Sequence, residues 1–180
     1  METKIIYFVH GTTTDNAEKL CSGWKEAMLN ELGKEQAKNL GNVSRERKDN
    51  FDIIFTSDLK RAIESSNIAF PDINKIIDKR LRECNYGDLD GKHKSLVMYE
   101  EHIDNPFPNG ESLKDVENRM REFIEYLKEN HKGKTIGIVA HRAPQLALEV
   151  ITKGITWEEA INNDWRKTGD WQPGWVYIVE

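Results

Sequence analysis

The chain has 180 residues, 38% hydrophobic and 32% charged, with a formal net charge of −5. That length allows one domain of ordinary size with a real core, and the acidic balance speaks against nucleic acid as a partner. No stretch approaches the roughly 18 consecutive apolar residues of a membrane span, and Met1-Glu2-Thr3-Lys4 lacks a cationic-then-apolar signal pattern. Cys21 and Cys84 stand far apart without metal or redox spacing, so a reduced, cytoplasmic setting is expected.

Strand-like and helix-like segments alternate along the chain. Lys4-Ile5-Ile6-Tyr7-Phe8-Val9 is mostly β-branched and aromatic and reads as a buried strand. Gly11 lets the backbone turn, and small hydroxyl residues follow where a loop meets a helix. From Gly33 to Leu40, Ala37 and Leu40 are spaced for a helix face. Phe51 to Thr56 predicts a second strand, followed by a helix from Asp58 to Ala69 and a short strand over Asn74 to Asp78. The segment from Glu83 to Gly110, with Pro106 and Pro108, is less regular. The longest helix is expected over Leu113 to Asn130, with Ser112 and Asp115 as a capping pair and Leu113, Val116, Met120, Phe123, Ile124 and Leu127 as its apolar stripe. Thr135 to Ala140 predicts the fourth strand. A helix over Pro144 to Ile151 follows, its proline in the first turn where a missing N–H costs nothing. Thr156-Trp157 opens a further short helix, and Trp175 to Val179 is the last strand. With no repeat, linker or low-complexity tract, the order predicts an α/β fold, a three-layer α/β/α sandwich with a mostly parallel central sheet.

Three strands end in residues suited to phosphate, and in a mostly parallel sheet those ends share one edge. The first gives His10, which is either the cap of a core strand or a site residue. The second gives Ser57-Asp58-Leu59-Lys60-Arg61, with Arg61 about one turn into the next helix. The fourth gives His141-Arg142. Two imidazoles and two guanidiniums on one rim are poorly explained by packing, because clustered cations repel unless an anion joins them. The convergence predicts an anion site. No carboxylate cluster suited to a metal accompanies it.

These residues, taken in order, make the chain resemble the histidine phosphatase superfamily, the group that includes cofactor-dependent phosphoglycerate mutases. His10-Gly11-Thr12-Thr13-Thr14-Asp15-Asn16 is similar to the family's Arg-His-Gly-x-Thr-x-x-Asn signature without its arginine. Gly23-Trp24, Leu32-Gly33-Lys34-Glu35-Gln36-Ala37 and Ser57-Asp58-Leu59-Lys60-Arg61-Ala62 resemble the next family stretches. Leu81-Arg82-Glu83-Cys84-Asn85-Tyr86-Gly87-Asp88-Leu89-Asp90-Gly91 resembles the segment carrying the family's acid, and Gly110-Glu111-Ser112 and Val139-Ala140-His141 complete the series. The resemblance implies a phosphoglycerate mutase-like fold over residues 1–180 as a single domain, with 83–110 as a lid segment.

It also implies roles. His10 would be the nucleophile that forms a phosphohistidine, which needs one imidazole nitrogen free and the other held by a backbone carbonyl. Arg61 and His141 would bind the equatorial phosphate oxygens. Glu83 would protonate the leaving alkoxide, a task that asks for partial burial beside negative phosphate. Asn16 would donate to phosphate or substrate, or cap a helix, and Gly11 and Thr13 would belong to the same phosphate loop. Trp24, Tyr86, Phe107 and Lys94 would line the substrate side. The implied cofactor set is empty, with neither metal nor organic group needed. Trp165, Trp171 and Trp175 are expected to pack at the core or sheet edge.

Two departures stand out. Val9 occupies the place of the family arginine, whose loss costs about 2–4 kcal/mol of transition-state stabilisation if nothing replaces it. Where the family has His-Gly, this chain reads His141-Arg142, so Arg142 either replaces the missing guanidinium or faces solvent. A branch with a His-x-Thr/Ser-Thr/Ser-x-Asp-Asn opening and a Trp-Gln-Pro-Gly-Trp tail resembles both ends of this chain. The expected function is hydrolysis of a small phosphomonoester. The alternatives are a catalytically weakened member that binds a phosphorylated ligand or protein, and a mutase-type phosphotransferase, which would need more covering structure against water. A homodimer is left open; nucleic acid and membrane are not expected partners.

Overall fold

Five strands build the central sheet, in the order β3-β2-β4-β1-β5. They are β1 (Thr3–Val9), β2 (Ile53–Thr56), β3 (Lys75–Ile77), β4 (Thr135–Ala140) and β5 (Trp175–Val179), in a computed structural model that describes residues 2–168 and 174–180. β1 to β4 run parallel, and β5 alone is antiparallel, along β1. The helices are α1 (Thr14–Ala17), α2 (Glu31–Glu46), α3 (Lys60–Ala69), α4 (Leu113–Asn130), α5 (Arg142–Lys153), α6 (Trp157–Asn162) and α7 (Trp165–Thr168).

Strand alternation divides the core into two layers of side chains. Ile6 and Phe8 of β1 point to one face, where Leu40 of α2 and Ala69 of α3 meet them together with Ile54, Phe70 and Val139. Ile5, Tyr7 and Val9 point to the other, which α4, α5 and α6 cover through Val116, Met120, Phe123, Leu146 and Trp157. The expected three-layer α/β/α sandwich with a mostly parallel sheet is the one observed. α4 has the predicted span, and its capping box joins Ser112 and Asp115 as expected.

Two helices run beyond their expected ends for physical reasons. α2 starts at Glu31 because the Asn30 side chain accepts from Gly33 N–H, and it continues to Glu46 because Gly41 and Ser44 extend its buried face. A Cβ at Gly41 would stand 2.3 Å from the Ala69 carbonyl, so this close approach to α3 admits only glycine. α5 begins at Arg142 rather than Pro144, since His141 takes the cap position.

The segment 83–110 folds as short 3-10 turns that sit on the core: Cys84, Tyr86, Tyr99, Ile103 and Phe107 are all buried there. Phe107 is a core residue, packed edge-on against Tyr86, and does not line the cavity described below. Cys21 and Cys84 are buried free thiols. Among the described residues no helix is long and apolar enough to cross a membrane. The Trp171-Gln172-Pro173 part of the aromatic tail lies outside the described residues.

Candidate active site

Register brings the chemistry to one edge of the sheet. Val9 of β1 pairs with Ala140 of β4, and Thr56 of β2 with Val139, so His10, His141 and Ser57 leave three neighbouring strands side by side. The His10 N–H donates to the Ala140 carbonyl at 3.0 Å, and the two imidazole rings stand 5.1 Å apart, edge to face.

His10 Nδ1 lies 2.7 Å from the Gly11 carbonyl, a contact that fixes the proton on Nδ1 and leaves Nε2 as a lone-pair nitrogen. Burial, with the Arg61 charge adding to it, pulls the His10 pKa down to about 3 against the pull of that carbonyl. The ring is therefore neutral at physiological pH. The loop behind it is tight: a Cβ at Gly11 would come within 2.2 Å of the Gly33 carbonyl at the start of α2, and the Gly11 N–H donates to Ser65 Oγ.

His141 is fully buried and neutral, since burial, with the Arg61 charge adding to it, holds its pKa well below the ordinary range. Its Nε2 is 2.6 Å from Ser57 Oγ, whereas its Nδ1 is buried without a hydrogen-bond partner among the described residues. The Tyr7 hydroxyl grips its backbone, donating to the His141 carbonyl at 2.6 Å and accepting the His141 N–H at 3.0 Å. Arg61, also buried, donates to the carbonyls of Lys25 and Gly23 at 3.0 and 2.6 Å, which ties the loop after α1 to the site.

Glu83 is 8% exposed and takes three backbone donors: Cys84 and Ala143 N–H on Oε1, Arg142 N–H on Oε2. The last two are orphan donors of the first turn of α5, so a residue sixty positions upstream closes that helix end. Arg142 itself donates from Nε to Asp164 Oδ2 at 2.5 Å and lies over the Tyr99 ring at 4.2 Å. Asp164 is buried, and its Oδ1 accepts the Arg166 N–H at 3.0 Å.

A cavity of about 460 Å³ opens in front of these groups. His10, Arg61, Glu83, Asn16, Tyr86, Lys94 and Arg142 line it, as does Val9. Other expected site residues lie behind the wall. Thr13 is fully buried, and its hydroxyl accepts the Asn16 N–H while Asn16 Oδ1 accepts the Thr13 N–H, a capping box for α1. Gly11 and His141 back the wall rather than line it. Trp24 stands outside, where its indole N–H donates to the Glu83 carbonyl at 2.7 Å and Arg82 stacks on its ring. Trp165, expected to pack at the core or sheet edge, lies 5.7 Å from Trp175 of the edge strand β5 and also lines the cavity. Sequence reasoning gave no role to Gln36, which accepts from Thr12 N–H and Oγ–H, nor to Arg166 and Lys167. Gln36 stood within a recognisable stretch; the two cations carried no local signal.

Residues 6–172 match the family model described as the histidine phosphatase superfamily (branch 1). The chain is 31% identical over 170 residues to a 2,3-bisphosphoglycerate-dependent phosphoglycerate mutase of Tropheryma whipplei, covering 76% of this chain and 77% of that protein. Among solved structures, Bacillus stearothermophilus YhfR superposes with a TM-score of 0.81 at 27% identity, over 99% of this chain and 91% of that one. The α-ribazole phosphatase from Shigella flexneri gives 0.76 at 26% identity, over 90% and 84%.

Proposed function

Because the chain belongs to the histidine phosphatase superfamily, we propose that it hydrolyses a small phosphomonoester through a phosphohistidine on His10. The observation that carries this reading is the His10 ring: neutral, locked by Gly11 at Nδ1, and lining the same cavity as Arg61 and Glu83. His10 Nε2 attacks phosphorus, an N–P bond forms and the ester P–O bond breaks, and Glu83, which takes up a proton from water when the phosphate dianion binds beside it, gives that proton to the leaving oxygen. Glu83 then takes a proton from water as that water attacks phosphorus, the N–P bond breaks and phosphate departs. Arg61, Asn16, Arg142 and the unpartnered Nδ1 of His141 are the groups left to hold the phosphate oxygens. Arg142 reaches the cavity from a different strand end than Val9 and supplies a guanidinium where position 9 has none.

Hydrolysis is favoured over phosphoryl exchange by the exposure of Lys94 and Lys167 on the rim of the cavity, which leaves a route for water to a phosphohistidine on His10. The test uses a chromogenic aryl phosphate with the wild-type chain and His10→Ala, together with trapping of acid-labile phosphoenzyme. Wild-type turnover with a trapped phosphoenzyme, both lost in His10→Ala, is expected. Interconversion of 2- and 3-phosphoglycerate faster than phosphate release would replace the hydrolase reading by a mutase. Tight phosphate-ester binding with no turnover would replace it by a binding module, the reading that Val9 favours.

A further inference from the structure

Cations crowd the cavity: among the described residues Arg61, Lys94, Arg142, Arg166 and Lys167 line it against the one carboxylate of Glu83. Most are already engaged. Arg61 holds two backbone carbonyls and faces the charge of Glu83. Arg142 is bonded at Nε by Asp164 and stacked on Tyr99. Lys167 leans toward Glu100 at 3.6 Å, and Lys94 is exposed on the rim. Arg166 differs. Among the described residues its guanidinium has no carboxylate within salt-bridge distance; the side chain is exposed and lies over the Trp165 ring, 5.0 Å from the centroid.

The backbone of Arg166 is nevertheless fixed. Asp164, buried between α6 and α7, accepts Arg142 Nε on one oxygen and the Arg166 N–H on the other. One carboxylate thus sets where both arginines enter the cavity, one from the start of α5 and one from the start of α7. Asp164 is paired with Arg142 and Glu83 faces Arg61, so Arg166 feels both carboxylates but forms a salt bridge with neither among the described residues. Like charges brought together in this way are unfavourable until an anion joins them. Both imidazoles are neutral, so a phosphate dianion draws its countercharge from the guanidiniums and from the two rim lysines.

We propose that Arg166 is a substrate-binding residue whose guanidinium takes an oxygen of the phosphate being transferred, with Asp164 as its positioning residue. The proposal rests on the reading of His10 as the phosphate acceptor and adds to it a residue from outside the motif series. Its charge acts on both His10 and His141, which puts it within electrostatic reach of a group bonded to His10. Arg142, held at Nε by Asp164 and stacked on Tyr99, keeps its outer nitrogens for the phosphate, and Arg166 adds a further donor.

The experiment measures inorganic phosphate as a competitive inhibitor of aryl phosphate hydrolysis, for the wild-type chain, Arg166→Ala and Arg166→Lys. Arg166→Ala is expected to raise the phosphate Ki and the KM by about 10- to 100-fold, the loss of one charge-assisted donor, with the unfolding midpoint unchanged. Arg166→Lys recovers part of the loss, because the charge returns without the fork. Millimolar ethylguanidinium restores phosphate affinity to Arg166→Ala, a rescue that a merely structural role would not allow. An active wild type whose Arg166→Ala variant keeps the wild-type Ki overturns the assignment of Arg166 and leaves the His10 reading intact. A wild type that neither binds phosphate nor turns over overturns both.

Discussion

Ser57→Ala removes one oxygen from a wholly buried pair, and its effect follows from what that oxygen does. Ser57 Oγ is 2.6 Å from His141 Nε2, and Leu59 N–H approaches the same oxygen at 3.4 Å, too long for a strong bond. His141 is neutral, so one ring nitrogen carries a proton and the other does not. For Nδ1 to donate to phosphate, the Ser57 hydroxyl must donate to Nε2 and fix the Nδ1–H tautomer. Truncation leaves both ring nitrogens without partners in a site with no exposure, which costs about 1–3 kcal/mol of stability. It also frees the proton to sit on Nε2, where it faces away from phosphate. With each 1.4 kcal/mol worth about tenfold in rate, losing one oriented donor lowers kcat by roughly 10- to 100-fold. Steady-state kinetics on an aryl phosphate and urea unfolding of the same protein read both numbers. Nitrogen chemical shifts of His141 read the tautomer directly. A Ser57→Ala protein with wild-type kcat and an unchanged Nδ1–H tautomer would refute the reasoning, whatever its stability.

Two further outcomes follow from the same geometry. In Glu83→Gln, an amide N–H₂ must face one or more of the three backbone N–H donors that the carboxylate now accepts. Hydrolysis of alkyl phosphates, whose leaving group needs the proton, should fall about 10²- to 10⁴-fold. With nitrophenyl phosphate, phosphoenzyme should accumulate, because the water step loses its base while the first step does not need an acid; equal losses on both substrates would count against the role. The second outcome concerns acid stability. His10 is held down at about 3 when folded but titrates near 6.5 when unfolded. Between those values the unfolded chain binds a proton that the folded chain refuses, so stability is full above pH 6.5 and falls as the pH drops toward 3 by up to about 1.4 kcal/mol per unit. His10→Asn removes this dependence, and its urea midpoint should decline less steeply from pH 7 to pH 4; parallel curves would contradict the burial of a neutral imidazole.

What could be read from the chain and what could not divide along a physical line. His10, Arg61 and His141 were legible because each directly follows a strand or opens a helix, and parallel strands deliver such positions to one edge. α4 was legible to the residue because its stripe is made of large apolar side chains. The second half of α2 was hidden because its buried face continues with Gly41 and Ser44, which add nothing to a hydrophobic count but allow α3 to approach. The start of α5 was hidden because its first N–H groups are satisfied by Glu83 across the molecule, not by a local capping side chain. Thr13 and Trp24 sat inside motifs and so looked like ligand contacts. The first closes α1 and the second supports the Glu83 backbone.

The same division bears on position 9. Val9 ends β1 with its side chain in the layer shared by Tyr7, Ala140 and Ala143, and it also lines the cavity. An arginine there would be the neighbour in sequence of His10 and legible from the sequence at once. In this chain guanidiniums reach the cavity from α3, α5 and α7, at Arg61, Arg142 and Arg166, and a single buried carboxylate at Asp164 orders the last two. The valine at the strand end and the two arginines on distant helices thus line one cavity. On the proposed reading, positive charge sits on the helices that face His10 and not beside it on β1, so contact in the fold and not neighbourhood in sequence decides which cations would meet an anion there.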